Sequence, residues 1–107
     1  ILPDLRVRKR DVSAPFLGGE ANVSRAGAMF AVKCGCPIVV AAMSRPNGKH
    51  AYTHLATLRP DPDAKDPKEE AARLTRETLK ILDGEVRRRP FEWFWYNKRW
   101  ILEPVKK

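Results

Sequence analysis

Cysteine and histidine are both scarce in this 107-residue chain, with two of each. Cys34 and Cys36 are separated by one glycine, so no disulfide framework can be built from them, and a reducing compartment is expected. A metal site is not expected either. Zinc asks for four converging ligands, and His50 and His54 lie on a segment that reads as extended, which holds them apart. No apolar run approaches the ~20 residues of a bilayer span and no signal-peptide pattern is present, so membrane contact by these residues is expected to be peripheral. The GxSxG, P-loop and HExxH signatures are missing, and five places beyond His50 and His54 stand Leu55 and Arg59 rather than acids.

The middle of the chain also lacks a net charge. Residues 11–86 sum to zero, while residues 1–10 carry +3 and residues 87–107 carry +5, which together make the whole excess of +8. Two local basic patches imply anionic partners such as phosphate groups or acidic lipid, unless they are only solvated chain ends. At 43% hydrophobic and 32% charged, the chain reads as one folded domain with a modest core. It begins at Ile1, and we expect it to be a piece of a longer polypeptide.

Along the chain, Asn22 or Ser24 is placed to cap a helix that runs to about Cys34 and stops at Gly35, with Pro37 just beyond. Ile38–Met43 (IVVAAM) is wholly apolar and reads as a strand buried on both faces. Pro46-Asn47-Gly48 marks a turn, and His50–Leu58 reads as a strand returning antiparallel, although its alternation is imperfect. Asp66-Pro67-Lys68-Glu69 sets out the start of a second helix that runs to about Arg88. Ala71, Leu74, Thr78, Ile81, Leu82 and Val86 form its buried stripe, and Gly84 marks a candidate kink. The order is loop, helix, strand, strand, helix and aromatic tail, which makes the fold class α/β with a mixed sheet flanked by helices.

Two segments could carry chemistry. In ILPDLRVRKR, Asp4 precedes the cations Arg6, Arg8, Lys9 and Arg10, which suit phosphate binding. In RRRPFEWFWYNKRW, all three tryptophans (Trp93, Trp95 and Trp100) fall within eight residues, beside Lys98 and Arg99. Those rings could pack on the sheet as a last layer of the fold, lie at an anionic membrane surface, or stack nucleic-acid bases. The neutral middle of the chain and the lack of any nucleic-acid-binding signature argue against bases.

Taken in series, four stretches resemble the bacterial lipid A biosynthesis acyltransferases, the lauroyl and myristoyl transferases of the lysophospholipid acyltransferase superfamily. They are LPD at residues 2–4, VSAPFLGG, AMFAVKCGCPIVV and the closing RRRPFEWFWYNKRW, in the family's order. The resemblance implies that residues 1–107 are the carboxyl-terminal part of one acyltransferase α/β sandwich. It implies transfer of an acyl chain from acyl carrier protein or acyl-CoA to a hydroxyl of a membrane glycolipid, at the cytoplasmic face of a bacterial inner membrane. No cofactor and no metal are called for. The family's base is a histidine with an acid five positions later, expected upstream, so this chain alone is expected to be inactive. Carried over residue by residue, Asp4 is expected to support the active site. Arg6, Arg8, Lys9 and Arg10 are expected to face the phosphorylated acceptor or the donor's phosphopantetheine. Phe16 and Gly18 are expected to shape the edge of the site. Trp93, Trp95, Lys98, Arg99 and Trp100 are expected to serve folding or membrane apposition. A basic, aromatic module that binds anionic lipid or single-stranded nucleic acid without catalysis is the alternative reading.

Overall fold

The computed structural model describes residues 1–93, 95, 101 and 102. The first element is a hairpin, β1 (Val12–Phe16) and β2 (Gly19–Val23), turned through Leu17 and Gly18, both at positive φ. The expectation of a loop before the first helix is therefore corrected. Val12, Ala14 and Phe16 alternate inward along β1, but Pro15 and the short span hide that period in the sequence. Helix α1 (Ala26–Cys34) follows and ends at Gly35 in the left-handed region, which glycine adopts without a Cβ penalty.

The expected cap on α1 takes a different form. Ser24 Oγ does accept from the Ala26 N–H at 3.1 Å, but Asn22 lies inside β2 and faces the other way along the chain. Its side chain accepts from the Asp11 N–H and donates to the carbonyls of Val7 and Lys9, at 2.8–2.9 Å. That staple ties the basic segment to the hairpin. Asp11 then takes the start of α1, accepting from the Arg25 N–H at 3.0 Å and pairing with its guanidinium.

Strands β3 (Ile38–Ser44) and β4 (Ala51–Leu58) form a second antiparallel hairpin across Pro46–Gly48, with Asn47 and Gly48 both at positive φ. The Asn-Gly pair supplies that mirror-image turn. A register shift between Val40 and Ala41 leaves Leu55 unpaired, which explains the imperfect alternation of β4. The α/β class stands. In place of one mixed sheet, the described residues hold two separate two-stranded antiparallel sheets. For the same reason β3 is not covered on both faces: Val40 and Ser44 are buried, while Val39 and Met43 are exposed.

Helix α2 (Pro67–Arg88) begins at Asp66, whose carboxylate accepts from the Lys68 N–H at 2.9 Å, with Pro67 in the first turn. It continues through Gly84 as one element. Its buried face is wider than the single stripe read from spacing. Ala72 and Leu79 join β1, β2 and Ile101 in one core cluster, while Ala71 and Leu74 join Ala28 of α1 in a second. Leu79, fully buried, was missed because it lies to one side of the Leu74–Thr78 line.

Glu70 ties the loop before α2 to the helix. Its carboxylate accepts from the Asp61 N–H at 2.9 Å and takes both Arg73 donors. The hydrogen bond from Arg73 holds the Glu70 carboxyl at about 2, below its ordinary 4.5, against an opposing push from burial; the Asp61 N–H assists. Its stabilisation is therefore full above about 4.5 and fades as pH falls toward about 2. Because the Arg73 side chain is half exposed, the loss in Glu70→Gln at pH 7 should be about 1 kcal/mol. Urea midpoints of the two proteins should converge between pH 5 and about pH 2, and a gap that stays constant would rule this assignment out. Asn22→Ala, which leaves three backbone groups without their partner, should lose about 3 kcal/mol. It should also speed amide exchange from Val7 to Asp11.

Candidate active site

An apolar groove of about 970 Å³ runs between the amino-terminal segment, α1, β3 and α2. Its floor includes Ala28 and Ala31 of α1 and Val40 of β3, with Phe30, Val39 and Met43 on its walls. Small residues on α1 are what leave the space open. Gly27 also lines it, and a Cβ there would stand 3.3 Å from the side chain of Ile1. The volume is near the top of the ~300–1,000 Å³ range in which pockets bury most of a small ligand.

Polar groups on the lining include Asp4, Glu85, Arg89, Glu92 and the indole of Trp93. Trp93 Nε1 donates to Asp4 Oδ2 at 3.0 Å, joining the LPD block to the tryptophan segment across 89 residues. The Trp93 ring meets Phe16 edge to face at 5.8 Å and Trp95 at 5.1 Å. Glu85 pairs with Arg88 and Arg89, and Glu92 accepts from the Arg45 N–H at 3.2 Å, closing the end of β3. These acids were not singled out by sequence reasoning. The i,i+4 spacing of Glu85 and Arg89 is that of an ordinary helix-stabilising pair, and Glu92 stands among aromatics.

The other expected site residues scatter. Phe16 lines the groove but is 1% exposed and belongs to the main core cluster. Gly18 sits at the hairpin tip with φ of +82°, a backbone conformation that favours glycine, and lies off the groove lining. The neighbouring Leu17 N–H donates to Asp83 on α2 at 2.7 Å. Burial pushes the Asp83 carboxyl up, but Arg87 and the Leu17 N–H outweigh it and hold the group below its ordinary value. Arg6 is half buried and bridges to Val23, whereas Arg8, Lys9 and Arg10 are exposed and off the groove lining. Trp95 is 42% exposed, and its N–H donates to the Pro90 carbonyl. Lys98, Arg99 and Trp100 lie outside the described residues.

Residues 1–101 match the family model for bacterial lipid A biosynthesis acyltransferases. The chain belongs to this family. No curated protein and no solved structure matches it. The match takes in both blocks that meet at the Asp4–Trp93 hydrogen bond. In this acyltransferase chain, His50 and His54 are not on the groove lining, and His54 is hydrogen-bonded to Thr57 on β4 instead.

Phe16 stands between the core and the Trp93 ring, so its removal acts on both. Phe16→Ala should destabilise by about 3–5 kcal/mol, a core cavity of ordinary cost. Near-ultraviolet circular dichroism should weaken along with it as Trp93 loses its edge contact, and an unchanged aromatic spectrum would contradict the Phe16–Trp93 packing.

Proposed function

We propose that this chain forms part of an enzyme that moves a fatty acyl group from an acyl thioester, carried on acyl carrier protein or coenzyme A, to a hydroxyl of a membrane glycolipid such as a lipid A precursor. The observation that carries this reading is the long apolar groove with the Asp4 carboxylate on its lining. An acyl chain gains about 0.8 kcal/mol for each methylene taken out of water, so such a groove holds a lipid tail without polar contacts. The reacting ester then has to sit where polar groups are, and Asp4, Arg89 and Glu92 supply them.

In the reaction, the acceptor oxygen bonds to the thioester carbonyl carbon, the carbon–sulfur bond breaks, and the departing sulfur takes up a proton. A base must take the hydroxyl proton, which suits a histidine held in one tautomer by a carboxylate. The family resemblance assigns that base to a histidine–acid pair outside this chain. Asp4 is assigned to orient the acceptor or a cation near it. Arg8, Lys9 and Arg10, exposed on the segment that follows, suit the anionic surface of the cytoplasmic leaflet of an inner membrane or the phosphates of substrate. The non-catalytic alternative is less well supported, because the Trp93 ring turns inward onto Phe16 rather than outward toward bases or lipid.

In the full-length protein, Asp4→Asn should lower kcat for acyl transfer roughly a hundredfold, the cost of losing alignment at a reacting centre. The thermal unfolding curve should be nearly unchanged, since the asparagine carbonyl still accepts from Trp93. Wild-type turnover by this variant would remove Asp4 from the active site.

A further inference from the structure

We infer that Trp93 is a positioning residue for this reaction, acting through its N–H on the Asp4 carboxylate; this rests on the reading of Asp4 as an active-site group. The geometry that points to it is a restrained donor facing a half-buried carboxylate on a segment whose apolar side chains are largely exposed. Ile1, Leu2 and Leu5 are 96%, 70% and 51% exposed, and the ties of this segment to the hairpin come beyond Asp4, at Arg6 and Val7. The Asp4 side chain itself is half-buried, and the Trp93 N–H is a donor aimed directly at it. The Trp93 indole is held in turn. One contact is with Phe16, itself fully buried in the core, and another is with Trp95, whose own N–H is anchored on the Pro90 carbonyl. Both ring pairs are edge to face, with interplanar angles of 74° and 83°, an arrangement that restrains tilt.

A hydrogen bond from so restrained a donor to a charged acceptor is of the stronger kind, and it is directional. Phe16, on the first hairpin, thus sets the Trp93 ring, and the ring sets the carboxylate. The tryptophan segment on this account does more than finish the fold. It orients a group on the groove lining.

The test is kinetic, in the full-length protein. Trp93→Phe keeps a ring against Phe16 and removes the N–H. It should lower kcat ten- to a hundredfold while KM for the acyl donor stays within about twofold. Added to Asp4→Asn, the same change should cost less than about twofold more, because both variants break one chain of effects. Losses that multiply would mean that Trp93 acts by packing alone, and would overturn the inference. So would a wild-type kcat in Trp93→Phe alongside a crippled Asp4→Asn. Wild-type turnover in Asp4→Asn would instead remove the premise, a different failure. Should Trp93→Phe fail to fold by circular dichroism, 3-benzothienylalanine at position 93 decides the matter. It keeps the shape of the indole and puts sulfur in place of the N–H. A folded protein with unchanged kcat would overturn the inference, and a ten- to hundredfold loss would sustain it.

Discussion

Helix α2 has to bury two faces at once, and that requirement organises the rest of the structure. Along one flank, Ala72 and Leu79 receive the first hairpin; along the other, Ala71 and Leu74 receive α1, with Ile38 and Leu58 of the second hairpin packed against them. The two sheets share no backbone ladder among the described residues, so the helix between them carries their relation. Alanines at 71 and 72 bring the backbone close to both neighbours, and the leucines fill the depth beyond. Thr75 and Thr78, buried on the same helix, return their hydroxyls to the carbonyls of Ala71 and Leu74, which lets polar residues line a mostly apolar space.

The groove follows from this arrangement rather than from any one motif. Two hairpins and a short helix rest on one long helix, and the small side chains of α1 leave a trough between them. Polar atoms reach the trough where α2 gives way to Pro90 and the chain turns back past the amino-terminal segment. The carboxylate at position 4 and the indole at position 93 then meet, each supplied by a stretch that the family match spans. Membership in the acyltransferase family and the shape of the groove are separate observations.

Much of the frame was legible in the residues. Asp66-Pro67 and Gly35 announced helix ends through local chemistry that needs no tertiary partner, and Asn47-Gly48 did the same for a turn. The first hairpin was not legible, because five-residue strands carrying Pro15 and Gly19 give too little period to read. Asn22 misled for a related reason. A capping residue and a staple use the same side-chain amide, and only the path of the chain decides which backbone groups it meets. Asp4 and Trp93 each stood out in the sequence, but their meeting did not. A contact across 89 residues leaves no trace in local pattern.

That separation has a consequence for how the protein is made. Hairpins and helices here close over short stretches of chain, whereas the Leu17–Asp83 bond spans 66 residues and the Asp4–Trp93 bond spans 89. Contacts between distant residues form late, since loop-closure entropy must be overcome before they contribute anything. During synthesis, the Asp4 carboxylate leaves the ribosome long before its indole partner exists. The Asp4 carboxylate therefore gains its indole donor only after the tryptophan segment has been translated, and the first hairpin waits for the same stretch, because Trp93, Ile101 and Leu102 pack on its core.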